Sequence, residues 1–373
     1  MMDHIYSQAH FTIIAPADNA NYGLPGVGLR KRRQAKHFEF GRLHFDEFVN
    51  LADEFTSSKW TDRAWTFQEG YVSKRRLIFN DHGLIFLCNK MHCWETLGHG
   101  TTGGIGEPFV HVVDHHKYLS LFPGIRQPIS KSHQSEAMAN YCRRTLTFEQ
   151  DALEACLGVL SAMNVTHYCG IDIRWRGHEF TGDFGMQLYW QNTEPASRRS
   201  GFPTWSWTSS TGNKIFDFRD KGSRTCCTEV NVDGSWVDTA NWARYWEGDL
   251  TEHDSSKLLR ITGPTLSPVW ISDGTGDIQM SVPFGADLDL VTVHFDCAED
   301  CSNTLDDVLA LVIEVPGGSC HDKLIFLLLE SSGEYYRRVG VAVGRKTCFE
   351  KKRALDFPSQ WRAQTELRTL LLE

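Results

Sequence analysis

The 373-residue chain contains no apolar run long enough to cross a bilayer, so a membrane span is not expected. It has no excess of positive charge. Thirty-eight Lys and Arg stand against 47 Asp and Glu, a formal net charge of −9, so nucleic acid is not an expected partner. The first residues, Met1-Met2-Asp3-His4-Ile5-Tyr6, show no basic stretch leading into an apolar one, and a cytoplasmic protein is the expectation. There is no Gly-Lys-Ser/Thr, which excludes a phosphate-binding loop, and no Gly-x-Ser-x-Gly nucleophile elbow. The 11 cysteines follow no disulfide framework and fit free thiols in a reducing compartment. No repeat of fixed period runs through the sequence.

What is present centres on Asp62-Arg63-Ala64-Trp65-Thr66-Phe67-Gln68-Glu69. Thr61 or Asp62 can cap a helix here and Gly70 can end it. Trp65 and Glu69 are four apart, so a helix puts them on one face. A carboxylate beside an aromatic plate can hold and polarise a flat cationic ring. A core Trp with a solvated Glu at its edge is the plainer alternative.

Before this helix, residues 1–9 read as the end of an amphipathic helix. His10-Phe11-Thr12-Ile13-Ile14-Ala15-Pro16 reads as a strand apolar on both faces, of the buried parallel kind. Residues 17–36 read as a loop carrying the basic run Arg30-Lys31-Arg32-Arg33, a solvated loop in its simplest reading. Arg76–Phe79 and Leu84–Cys88, divided by Asn80-Asp81-His82-Gly83, form a hairpin signal.

Further on, residues 132–165 look helical, with an apolar stripe of Leu153, Cys156, Leu157, Leu160 and Met163. Trp205 and Trp207 alternate, as on one face of a strand, where core packing is the favoured role. From about residue 258 strands dominate: Leu258–Ile261, Leu290–Phe295, Val308–Val315, Lys323–Leu329 and Tyr336–Val343, divided by turns as in an antiparallel sheet.

Two constellations are weaker. Gly98-His99-Gly100-Thr101-Thr102-Gly103 satisfies the dinucleotide spacing, but no strand leads directly into it and no helix follows. Cys88, His92, Cys93 and His99, with His111, Asp114, His115 and His116 nearby, lack the paired-knuckle spacing of a zinc site, so no metal is expected.

Several segments together resemble the fungal heterokaryon-incompatibility (HET) domain family. They are Met2–Ala9 running into Phe11–Ala15, Asn21-Tyr22-Gly23-Leu24-Pro25-Gly26, Arg63–Glu69, Arg76–Phe79, and Phe86-Leu87-Cys88 with Glu95 downstream. Arg144-Thr145-Leu146-Thr147 before Asp151-Ala152-Leu153, and Pro203-Thr204-Trp205-Ser206-Trp207, resemble the tail that often follows that domain. The family's opening Leu-Ser-Tyr-like and Ile-Asp-x-x-Cys-like strands have no counterpart, so the expectation is a chain carrying the C-terminal part of the domain.

The family is distantly similar to Toll/interleukin-1 receptor (TIR) domains. That resemblance implies an α/β fold, a partial open parallel sheet, followed by an α+β extension with a mostly antiparallel β region at the end. The expected divisions are 1–97 for the HET part, 98–215 for a mixed extension and 216–373 for a β-rich region. Trp65–Glu69 has the spacing of the TIR Trp-Cys-x-x-Glu signature. The resemblance therefore implies Glu69 as a catalytic carboxylate for cleaving NAD, with Trp65, Arg63 and Gln68 in its binding surroundings. NAD would be a substrate, and no cofactor is expected.

Three functions stay open at this point. The first is an interaction and effector module in non-self recognition and regulated cell death, with protein partners or self-association. The second is a TIR-like NAD-cleaving enzyme. The third is a fragment with neither activity. A strand over residues 10–16 lacking its neighbours would offer an unpaired edge, which predicts an oligomeric or poorly soluble chain.

Overall fold

The computed structural model describes residues 2–16, 20–47, 49–88, 92–95, 131–173, 184–194, 196–217, 225–239, 256–272, 278–284, 287–301, 305–314, 323–345 and 365–373. The chain forms two compact units, residues 1–163 and 164–373. Among the described residues no helix is long and apolar enough to cross a membrane. The glycine-rich spacing at 98–103 and the histidines at 99, 111, 115 and 116 lie outside the described residues, as do the side chains of His92 and Cys93.

The first unit opens with α1 (Met2–Gln8) and β1 (Thr12–Ile14). A detached hairpin follows, β2 (His37–Phe40) and β3 (Leu43–Asp46). Then come α2 (Leu51–Thr56), α3 (Lys59–Asp62) and α4 (Ala64–Val72). The strands β4 (Arg75–Phe79), β5 (Leu84–Cys88) and β6 (His92–Trp94) complete a sheet of order β1-β4-β5-β6. The later helices are α5 (Lys131–Cys142) and α6 (Glu154–Ala162).

The 76–79/84–88 hairpin forms as its turn chemistry dictates, and β1 runs parallel to β4 with Thr12 opposite Arg76. That is the sheet's one parallel pair; β4–β5 and β5–β6 are antiparallel. The sheet is therefore mixed, and the expected open parallel sheet is corrected. β1 is also corrected. Its residues alternate in burial, with Ile14 buried and Ile13 52% exposed, because only one face of this sheet meets the core; β4 and β5 alternate in the same way. That core is Ile14, Leu51, Phe55, Ile78, Ile85 and Leu87.

Two helix boundaries differ from the reading of the sequence. Ser58 caps α3, and Arg63, in extended conformation and without a side-chain cap bond, separates it from α4. Gly70 lies inside α4, which continues to Val72. The reason is a buried arginine. Arg76 donates from Nε to the Gly70 carbonyl and from Nη2 to Tyr71 O at 3.1 Å, while Ser73 Oγ donates to Glu69 O at 2.6 Å. Side chains take the last carbonyls, so no left-handed glycine cap is needed.

The expected helix over 132–165 breaks between α5 and α6. Thr145 N donates to Asp62 O at 2.6 Å, and Ala64 N to Thr145 O at 2.9 Å. Arg63 and Thr145 thus form a parallel bridge, which extends the backbone where the helix would have continued.

The second unit contains short pairs, β7 (His167–Tyr168) with β8 (Ile171–Asp172) and β9 (Trp190–Asn192) with β10 (Lys214–Phe216), and the single-turn helix α7 (Phe184–Gln187). Its main feature is a ten-stranded sheet. Its members are β11 (Cys227–Val232), β12 (Ser235–Asp238), β13 (Leu259–Leu266), β14 (Val269–Ser272), β15 (Ile278–Phe284), β16 (Asp287–Phe295), β17 (Val308–Glu314), β18 (Lys323–Ser332), β19 (Tyr335–Arg345) and β20 (Glu366–Leu372). Its order is β12-β11-β13-β17-β18-β19-β16-β15-β14, with β20 against β13 and touching β19. All pairings are antiparallel except the Tyr336–Leu372 contact, as expected for a β-rich end.

Leu324, Ile325, Phe326, Leu327, Leu328 and Leu329 of β18 are all buried. Both faces of that strand are covered, which is why its sequence reads as one apolar run.

Trp205 and Trp207 do not sit on a strand; Trp207–Ser209 is a turn of 3-10 helix. Both rings are fully buried. Trp205 stacks on Tyr168 at 5.2 Å, and Trp207 Nε1 donates to Gly170 O at 2.9 Å. Gly170 has φ +82°, and a Cβ there would stand 2.9 Å from Trp207 Nε1, so the position requires glycine. Beneath them Arg338 lies 3.5 Å over the Trp190 ring and binds Asp296 through Nε at 2.8 Å and Nη2 at 3.1 Å.

Candidate functional site

α4 is enclosed on nearly every side. Ala64, Thr66, Phe67, Gln68, Gly70, Tyr71 and Val72 are buried. Only Trp65 and Glu69 remain partly open, one turn apart on a single stripe. The helical spacing thus places these two side chains as expected.

Their partners come from elsewhere in the first unit. Trp65 Nε1 donates to Asp151 Oδ2 at 3.0 Å. The Glu69 carboxyl bonds the hydroxyl of Tyr6 on α1. Burial pushes Glu69 above its ordinary carboxylate range, while the Tyr6 bond and the Arg63 charge pull it partly back. Burial, then the Glu69 charge, pushes Tyr6 up to about 12.

Arg63 is exposed, and its backbone makes the bridge to Thr145. Gln68 faces inward: its Oε1 accepts the Gly158 N–H at 3.2 Å, tying α4 to α6. Arg144 lies 4.8 Å over the Phe67 ring and donates to Arg63 O and Thr66 Oγ1, each at 3.2 Å. Trp65, Gln68 and Glu69 therefore share α4, with Arg63 at its N-terminal boundary, and the four face different surroundings.

The first unit also holds a cleft of about 470 Å³ where β1 and β4 end. Pro16, Phe79 and Asp81 line it. Tyr22, Arg30, Lys31, Arg33, Glu54, Ser57 and Ser58 complete its lining. None of Arg63, Trp65, Gln68 or Glu69 is among these. Ser73, one turn past Glu69, bonds Thr12 at the start of β1 (2.6 Å), so Glu69 lies toward the opposite end of the parallel pair.

The basic run of the sequence supplies the cations of this cleft. Arg30 pairs with Asp81 and lies 4.9 Å over the Tyr22 ring, and Arg33 Nε is 3.4 Å from Asp81 Oδ2. Glu54 accepts Asp81 N at 2.8 Å and meets His82 Nδ1 at 3.1 Å. Arg32 turns away to Glu95, which also accepts Leu84 N at 3.0 Å; the Arg32 bond holds Glu95 below its ordinary range.

The two cleft carboxylates are thus occupied by neighbouring donors. Ser57 Oγ donates to Asp53 O, and Ser58 Oγ accepts from Thr61 N. This arrangement can hold an anion or an acidic chain, but it aligns no nucleophile with a base. The sequence signal for it was present in Arg30–Arg33; the acidic partners at 54 and 81 become legible only once the hairpin turn is folded back onto the run.

Compared with known proteins, the chain matches one family model, described as heterokaryon incompatibility protein (HET), over residues 1–69. The matched span runs from the first helix to Glu69 itself. No curated protein and no solved structure matches the chain.

Proposed function

We propose that this chain, whose first 69 residues match the HET family, is an interaction module of non-self recognition and regulated cell death. It works by associating with itself or with protein partners rather than by catalysis. The observation that supports this reading is the open edge of β1. Among the described residues β1 pairs only with β4, and Phe11 and Ile13 are 50% and 52% exposed beside its unpaired backbone. An edge of this kind offers main-chain hydrogen bonds and apolar contacts to an added strand.

The test is Ile13→Lys, which adds an edge charge without touching the core. Light scattering on the full chain should show oligomers that the variant loses with an unchanged far-ultraviolet spectrum. Expression in a filamentous fungus should arrest growth for the parent and not for the variant. A monodisperse parent monomer at tens of micromolar would refute the reading.

Cleavage of NAD is the second reading, favoured by the raised carboxyl of Glu69 on the one open stripe of α4. Nicotinamide release by the purified chain, abolished in Glu69→Gln, would support it. Equal release from both proteins would remove Glu69 from any mechanism.

A further inference from the structure

The β2–β3 hairpin has two unlike faces. Its register pairs Phe38 with Phe45, Glu39 with His44 and Phe40 with Leu43. Strand alternation puts Phe38, Phe40, Leu43 and Phe45 on one side and His37, Glu39 and His44 on the other. Gly41, with φ +63°, opens the two-residue turn that fixes this register.

On the polar side three ligand-bearing groups converge. Glu39 Oε1 lies 3.4 Å from His44 Nδ1 and 3.7 Å from His37 Nε2. The three ligand atoms all fall within 4.8 Å of one another, and the two imidazoles stack at 5.6 Å between centroids. Ligand atoms about 2.0–2.1 Å from a tetrahedral ion stand roughly 3.3–3.5 Å apart. Two sides of the required triangle are therefore nearly in place before any ion arrives.

We propose that His37, Glu39 and His44 bind a divalent transition metal, zinc by the chemistry of the donors, with solvent completing the coordination. Two imidazoles and one carboxylate suit zinc, nickel and copper and are poor ligands for magnesium or calcium. The side chains are 51%, 65% and 62% exposed, so an ion reaches them without opening the fold.

The gain is structural. A lone two-stranded hairpin is marginally stable in water. An ion bridging both strands turns its binding free energy into hairpin stability and holds the aromatic face in register. The proposal is independent of the function assigned above.

Cobalt(II) is the probe, because the 11 cysteines would also take up zinc. Thiolate ligation of cobalt gives strong sulfur-to-metal absorption; nitrogen and oxygen ligation does not. The full chain should bind one more equivalent than His37→Gln/His44→Gln, and that equivalent should lack the sulfur band. Glu39→Gln, of the same shape, should weaken it by more than the roughly 10–100-fold lost with a supporting group. Zinc should also slow tryptic cleavage at Arg42, the hairpin tip, in the parent but not in the double variant. Matching metal-free melts will show that the variants fold. Equal stoichiometry and equal cleavage rates in parent and double variant would overturn the site.

Discussion

At Gly158 α6 passes close to Gln68 and Asp3, and replacing it with alanine sets two effects against each other. In an open helix interior Gly→Ala stabilises by about 1 kcal/mol. At residue 158 the new Cβ would stand 2.6 Å from Gln68 Oε1 and 2.8 Å from Asp3 Cβ, with Asp3 Cα at 3.6 Å. Ordinary carbon contacts are about 3.5–4.0 Å, so α1 and the Gln68 side chain must both retreat. Overpacking of this kind costs about 1–3 kcal/mol.

Gln68 is 3% exposed and accepts the Gly158 N–H, so its retreat leaves a buried acceptor unpaired, about 1–3 kcal/mol more. The losses exceed the helix-propensity gain, and Gly158→Ala should destabilise by ~2 kcal/mol. Urea unfolding reads this as a midpoint lower by on the order of 1 M. In a Gln68→Ala background the same change should cost less, because one of the two clashing groups is gone. A midpoint that rises in Gly158→Ala alone would refute the packing argument.

Arg338→Ala should cost about 3–5 kcal/mol, read by thermal unfolding, since it removes the bidentate partner of the buried Asp296 carboxylate and leaves only the longer Arg198 contact at 3.9 Å; a change under 1 kcal/mol would show that the pair contributes little. Glu69 has its folded-state range raised by burial, so the folded form holds its proton more tightly than the unfolded one. Its contribution is fully present below about pH 4.5 and is lost as pH rises through the raised value. Glu69→Gln should therefore melt increasingly above the parent as pH goes from 4 to 7; parallel curves would contradict the assignment.

Local chemistry alone set several features. Asn80–Gly83 between two apolar runs made the β4–β5 hairpin, and a spacing of four put Trp65 and Glu69 on the one open stripe of α4. The Leu-rich run at 323–329 announced a strand, and its burial on both faces emerged with the sheet. These signals lie within a few residues of what they control. The family match ends at Glu69, so it carries no information on α6 or on the large sheet.

Tertiary contacts decided the rest. Arg76 holds the last carbonyls of α4, so Gly70 does not end it. The Arg63–Thr145 bridge breaks what reads as one long helix. β1 alternates, like β4 and β5, because only one face of their sheet is covered, a fact fixed by packing rather than by its own apolar residues. Trp205 lies in a turn and Trp207 opens a 3-10 turn because Tyr168 and Gly170, more than 30 residues earlier, receive their rings. The strands β11, β12 and β20 escaped a local reading because what stabilises them is pairing across the sheet. The basic run and its carboxylates at 54 and 81 meet only after folding. Backbone pairing and charge pairing between distant segments leave no periodic trace in the sequence, and only the folded chain brings them together.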